Sequence, residues 1–429
     1  MRFHCWNVPR PETGTVRYNM GRPVNVIFLE PSFPDNQKQF VRALHDVGAT
    51  VIGIGERPKD WLGDDVKSWL THYEQVPSVV DEERLIDVVR WLQSRLWVDR
   101  LEATIEAHVM AAARAREACG IPGTSVHTTY LCRDKPAMKQ ALRAAGVPCA
   151  SSAAPRSGQD VRDFAAEAGF PIILKPAAGA GASGAERVNT PDELDAAIAR
   201  SGVDHGAEVA VEEFVDGHEG FYDTISIDGR VAVDFVTHYY PNVLEAMRTR
   251  WISPQFITTN RIDGPSYVEL RELGRRVITA LGITTSATHM EWFAGSKGLY
   301  FSEIGARPPG VRAWDLYAAA NGFDIYREWA NAVVHGQLGS EPTRQFAAGM
   351  IALRPDRDGA ISGYDGVEEL HRRHGEWVID AHLPPPGTPT QPVEAGYMAN
   401  AWVRMRHPDY DTLRGMLDEV GRTVRVRAG

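Results

Sequence analysis

Two strand-like runs, residues 288–293 and 299–307, flank the turn sequence Ala294-Gly295-Ser296-Lys297-Gly298. Apolar runs around a Gly-rich turn are the signature of a β-hairpin. With the hairpin centred on Lys297, Glu291 and Glu303 stand opposite each other, and strand alternation puts Arg307 on their face. Like charges directly opposed destabilise a sheet. A divalent cation between them removes the conflict, and paired carboxylates with phosphate oxygens are a usual setting for Mg²⁺. Two blander arrangements stay open. Both acids are solvated on an exposed face, or the register slips by one and separates them.

A second segment, residues 170–184, is an apolar strand that ends in Lys175 and runs into a loop of small residues containing Gly179, Gly181, Ser183 and Gly184. Small residues let backbone N–H groups come close to an anion. The lysine precedes the glycines and no GK[ST] closes the loop, so this is not a P-loop. A mobile hairpin tip is the plain alternative for the loop. The lysine is harder to dismiss, because a buried ammonium without an anionic partner is costly. A third segment, residues 209–219, carries a buried strand into Glu212 and Glu213, then a turn and Glu219. Its bland reading is a strand edge with solvated acids.

Around these segments the chain reads as alternating strands and helices. A strand at 26–29, a helix at 37–47 and a strand at 48–54 make an open α/β unit with a parallel sheet. A long helix is expected over 100–119, stopped by Gly120, Pro122 and Gly123. Asp134-Lys135-Pro136 opens another helix, with Asp as N-cap and Pro in the first turn. The first 25 residues read as a polar arm. Past residue 336 the composition shifts, a Pro-rich stretch covers 383–387, and a last helix at 410–420 leads to a strand at 423–426.

Composition excludes several classes. The 46 basic and 56 acidic residues give a net charge of −10 with no basic block, against a dedicated nucleic-acid binder. No apolar run approaches the ~18–20 residues of a membrane span, and no leader segment is seen at the start. The four cysteines form no CxxC and read as reduced thiols, so a cytoplasmic location is expected.

In order along the chain these pieces resemble the ATP-grasp superfamily, in the branch with biotin-carboxylase-like architecture. The resemblance rests on Asp134-Lys135 before a helix ending in Ala-Gly-Val-Pro, on Phe-Pro-Ile-Ile-Leu-Lys-Pro with its glycine loop, on Glu-Glu-Phe-Val-x-Gly-x-Glu, and on Glu291, Glu303 and Arg307. It implies a mixed α/β and α+β chain. After an arm (1–25) come a Rossmann-like N-terminal domain (26–127), an ATP-grasp domain (128–340, with a small lid at about 150–212) and a C-terminal subdomain (341–429). It also implies roles. Lys135 and Lys175 contact the phosphates of ATP, and Gly179, Gly181, Ser183 and Gly184 close over them. Glu212 meets the adenine amino group, Phe214 and Val215 offer hinge backbone to adenine, and Glu219 binds the ribose. Glu291 and Glu303 hold Mg²⁺, with Mn²⁺ as the alternative ion. Arg307 steadies the transferred phosphoryl group, and Lys175 joins it as a catalytic residue. One departure stands out: Gly305 lies where many relatives carry an Asn as an extra metal ligand.

ATP-grasp enzymes typically activate a carboxylate by phosphoryl transfer, and an amine then attacks the acyl phosphate. Positioning and charge neutralisation suffice for such chemistry without a covalent nucleophile. Residues 347–366 resemble the C-terminal subdomain of dipeptide-forming amino-acid ligases. The resemblance therefore implies small carboxylate and amine substrates, neither nucleic acid nor membrane as partner, and a homodimer. Biotin-carboxylase-like and purine-biosynthetic ligases are the alternatives, and a decayed nucleotide-binding regulator is a further one. Arg312 is a candidate to pair with a substrate carboxylate in the catalytic set. His238, Tyr239, Arg248, Arg250, Arg261, His289 and Trp314 are further candidates near the site, with 247–257 as a covering loop around Trp251.

Overall fold

The computed structural model describes residues 22–177 and 184–429. The 1–25 arm falls almost wholly outside the described residues, as do Gly179, Gly181 and Ser183. Near the N-terminus, strands β1 (Asn25–Leu29), β2 (Thr50–Gly55), β3 (His72–Gln75) and β4 (Arg100–Glu102) form a parallel sheet in the order β3-β2-β1-β4. Parallel strands need helical crossovers, and the helices Gln37–Asp46 and Glu82–Gln93 supply two of them. The expected helix over 100–119 is corrected here. Residues 100–102 pair with β1, and the helix begins only at Val109. Leu101, fully buried, satisfies a strand as well as a helix, so periodicity alone could not separate them.

A small antiparallel sheet follows, built from β5 (Ser152–Ala153), β6 (Ile172–Pro176), β7 (Glu186–Val188) and β8 (Val209–Glu213) in the order β5-β8-β6-β7. The helices Gly158–Ala168 and Pro191–Ser201 cover it and share its core. The largest sheet comprises β9 (His218–Ile227), β10 (Arg230–Tyr240), β11 (Gln255–Thr258), β12 (Ser286–Gly295), β13 (Gly298–Gly305) and β14 (Ala347–Leu353), with two later strands. Past β15 (Ile361–Asp365), these are β16 (Val378–His382) and β17 (Ala401–His407), giving the order β13-β12-β9-β10-β11-β14-β17-β16. The chain ends in β18 (Arg425–Ala428), paired with β15. Most C-terminal strands thus extend the central sheet, so one sheet face runs without a break from the β12–β13 hairpin into the C-terminal region.

The N-terminal unit is locked to that sheet by aromatic packing. Phe40, 2% exposed, lies with its ring centroid 5.0–5.3 Å from Trp314, Tyr326 and Trp329 of the helices Ala313–Asn321 and Ile325–His335. Arg42 adds an ion pair to Asp324 at 2.7 Å.

Candidate active site

The hairpin pairs Glu291 with Glu303 directly. Its turn holds two residues, Ser296 and Lys297, between the paired glycines 295 and 298, and a bulge lies between Glu291 and Trp292. Glycine is required at the tip, because a Cβ on Gly295 would stand 2.0 Å from the Asp216 carbonyl oxygen. That close approach brings the 214–217 hinge against the hairpin. A cavity of about 320 Å³ opens between hinge, hairpin and small sheet.

Its cationic wall comes from two elements. Asp134 caps the helix Lys135–Ala144 by accepting a hydrogen bond from the Ala137 amide at 2.9 Å, which fixes Lys135 in the first turn. Lys139 is one turn on and lies on the same side. Lys175 reaches in from β6. Lys139 and Lys175 both bind Glu212, at 2.8 and 2.7 Å, one to each carboxylate oxygen. Lys139 is 1% exposed and Glu212 6%. Burial pushes the Glu212 carboxyl up, yet the two lysines outweigh it and draw it down to about 2. Burial alone would lower Lys175, but Glu212 and then Glu303 raise it. Lys135 approaches Glu303 at 3.3 Å.

Facing these lysines are Glu219, Glu291 and Glu303. Glu219 accepts from the Val243 amide at 2.6 Å. Burial, then the neighbouring Glu291, pushes its carboxyl up to about 8. Burial thus favours the neutral carboxyl, and the nearby Glu291 adds to it. Glu291 is held below the ordinary carboxylate range despite burial, through His289, then Lys175 and Lys135. His289 lies 3.8 Å from Glu291 and 2.7 Å from Asp223, and these acids lift its imidazole to about 9 against the effect of burial. Among the described residues no set of three or more His, Cys, Asp or Glu forms a ready-made metal cage. Two opposed carboxylates beside a polyphosphate-sized, lysine-lined cavity nonetheless fit Mg²⁺, which keeps waters and takes phosphate oxygens as its other ligands.

The cavity wall includes Lys135, Lys175, Glu212, Phe214, Val215, Glu219, Glu291 and Glu303 among the residues singled out from sequence. Gly184 is described, with φ +70°, against Pro176 rather than in the wall. Glu212 has both oxygens on lysines, a setting its expected adenine contact did not anticipate. Arg307 and Arg312 are not part of the wall. Arg307 donates to Glu106 at 2.9 Å and to the Pro308 carbonyl at 2.8 Å. Arg312 is 49% exposed on its side chain and pairs with Asp315 at 2.6 Å. Glu106 also holds Arg133 at 3.0 Å, and its Oε2 is 3.5 Å from where a Cβ on Gly305 would lie. The space a side chain at position 305 would enter is therefore bordered by a carboxylate from the N-terminal unit.

Other sequence candidates have different duties. His238 turns to the opposite sheet face, where it joins His218 and Tyr267, each at 2.9 Å. Arg250 pairs with Asp358, and Arg261 with Asp409 and Asp411. Arg248 donates to the Ala185 carbonyl. Sequence reading missed Lys139, Arg187 and Asn242 in the cavity wall. Lys139 was detectable: with Lys135 and Leu142 it follows an i, i+4, i+7 stripe. Arg187, on β7, stacks over the ring of Phe214 in the hinge at 3.9 Å, a long-range contact with no local signal.

Residues 134–235 match the family described as carbamoyl-phosphate synthase L chain, ATP binding domain. The chain is 24% identical over 325 residues to the L-arginine-specific L-amino acid ligase of Bacillus subtilis, covering 73% of this chain and 77% of that protein. It is 26% identical over 232 residues to the alanine–anticapsin ligase of Bacillus subtilis strain 168, covering 49% of this chain and about half (48%) of that one. The crystal structure of an L-amino acid ligase from Bacillus licheniformis superposes with a TM-score of 0.75 at 19% identity, over 95% of this chain and 99% of that one. An N5-carboxyaminoimidazole ribonucleotide synthetase from Thermotoga maritima gives 0.69 at 18% identity, over 95% and 100%. Fold and domain match define an ATP-grasp protein. The chain is an enzyme of the ATP-dependent ligase class, and its similarity to L-amino acid ligases appears in sequence and fold alike. No helix among the described residues is long and apolar enough to cross a membrane.

Proposed function

We propose that the protein joins a small carboxylate to a small amine, both amino acids, at the expense of ATP and through an acyl phosphate. The observation that carries this is one cavity with Lys135, Lys139 and Lys175 on one side and Glu219, Glu291 and Glu303 on the other. The lysines match a triphosphate, and the directly opposed Glu291 and Glu303 call for a cation. A carboxylate oxygen attacks the γ-phosphorus, the bond to ADP breaks, and the acyl phosphate forms. The amine then attacks the acyl carbon, the C–N bond forms, phosphate leaves and the amine proton passes to solvent. When bound, Mg²⁺ supplies neutralisation of the phosphate charge, and Glu291 and Glu303 are the residues that would hold it. Lys135 and Lys175 orient the phosphates, and the hinge at Phe214 and Val215 seats adenine. The same reading assigns Gly179, Gly181, Ser183 and Gly184 to the phosphates. Glu212, in this reading, first sets the two buried lysines, and Glu219 takes the ribose.

Arg307 stabilises the developing charge, and Glu106 positions it. Replacing Glu106 by Ala is expected to lower kcat by up to about 10²-fold while leaving the KM for ATP near its original value, since misplacement acts on the reacting geometry. Steady-state kinetics with varied ATP checks this. Arg312 lies five residues on and pairs with Asp315, and it is proposed to exchange that partner for the substrate carboxylate that is activated. A homodimer in the cytoplasm completes the reading, supported by the free thiols of Cys119, Cys132 and Cys149 among the described residues and by the exposed Trp91 and Trp97 on the N-terminal unit. The direct test is a phosphate-release screen over a matrix of amino acids. Release that needs two substrates at once supports ligation. Release with bicarbonate alone would favour the carboxylase-like alternative.

A further inference from the structure

The sheet face that bears Glu291 continues beyond the cavity. Strand pairing from β12 through β14 sets Phe221, Tyr239, Phe256 and Met350 on it, and alternation carries Arg354 to the same side. Tyr397, on the segment before β17, covers this stretch. Its ring lies 6.1 Å from Tyr239 and 5.8 Å from Phe256, and Phe221 lies 5.0 Å from both Tyr239 and His289.

Two polar atoms here are buried with no hydrogen-bond partner among the described residues: Arg354 Nη2 and the Tyr397 hydroxyl. Tyr397 is 6% exposed. The Arg354 guanidinium is not adrift, because Nη1 donates to the Thr249 carbonyl at 2.7 Å and the Ile252 carbonyl at 3.4 Å. Buried donors are nearly always satisfied in folded proteins, so two orphans on one sheet face ask for an acceptor. Burial, then Glu219, keeps the phenol protonated, and Arg354 is the cation that acts on it. A fixed cation with N–H and O–H donors complements a carboxylate. Neither residue lines the nucleotide cavity. The carboxylate undergoing activation belongs beside the lysines, so the carboxylate left for this pair is the one that survives in the product.

We propose that Arg354 and Tyr397 bind the α-carboxylate of the amino acid whose amine attacks. This rests on the ligase reading and adds to it which substrate group the C-terminal region recognises.

The test is calorimetric binding of the twenty L-amino acids and their carboxamides to the full chain with Mg-ADP. At least one free acid is expected to bind tenfold or more tightly than its carboxamide. Tyr397→Phe should erase about tenfold of that preference, the scale of a hydrogen bond to a charged group. Carboxamide and Mg-ADP binding should not change. Because the hydroxyl makes no hydrogen bond to the described residues, the same variant should melt at or above the original temperature. Arg354→Gln should remove the preference altogether. The proposal is overturned if no amino acid binds, if the free acid is not preferred, if both variants keep the preference, or if Tyr397→Phe lowers the melting temperature. Phosphate release is read separately. A preference for free acids without any ADP formation keeps the subsite and ends the ligase reading. Dipeptide formation with the preference intact in both variants does the reverse.

Discussion

Glu303→Ala is expected to lower nucleotide-dependent phosphate release by about 10²–10³-fold or more, the cost of removing one preorganised electrostatic contact from a reacting centre. Glu303 stands opposite Glu291 in register and 3.3 Å from Lys135. Without it, one carboxylate must hold the cation alone, and Lys135 is less constrained beside the phosphates. Glu303→Gln keeps the shape and loses the charge, so it should fail nearly as badly and should need far more Mg²⁺ for its remaining turnover. Initial rates at saturating ATP over a Mg²⁺ series measure both effects. Full activity in the Ala variant would remove Glu303 from the metal site.

Glu212→Leu should cost about 3–5 kcal/mol of folding stability, the usual result of stripping the partner from a buried charge. The charge exposed to this loss is Lys139, whose side chain is 1% exposed and 2.8 Å from Glu212. Urea denaturation gives the number. The pH dependence carries a sign check. The Glu212 carboxyl titrates near 2 in the fold against an ordinary 4.5. Its stabilisation is complete above pH 4.5 and is lost as pH falls toward 2. The wild-type melting temperature should fall over that window, and this part of the fall should be missing in the Leu variant. A Glu212→Leu protein as stable as wild type would mean that Lys139 is neutral or solvated in the fold.

The hairpin shows how much of the site could be read from sequence and where reading stops. The opposition of Glu291 and Glu303 follows from centring the hairpin on Lys297. The actual turn is centred between Ser296 and Lys297, and Trp292 pairs with Phe301. The bulge then inserts Ser302 and restores the expected register at the two acids. Two offsets cancel, and neither had a local sign in the sequence. The Lys175 strand and the Asp134 cap were legible because each depends on a few adjacent residues. Glu106 was hidden inside an expected helix, since a three-residue parallel strand gives no periodicity to read. Arg354 and Tyr397 are 43 residues apart in the numbering and share a sheet face only through β14 and the approach to β17. No pattern in either segment points to the other.

The acyl phosphate is the central claim, and oxygen transfer tests it most directly. A turnover with the carboxylate substrate labelled in both oxygens by ¹⁸O, followed by mass spectrometry of the released phosphate, should find one labelled oxygen per phosphate and the amide product alongside. Phosphate formed without label would mean that water, not a carboxylate, takes the γ-phosphoryl group, and it would contradict the account.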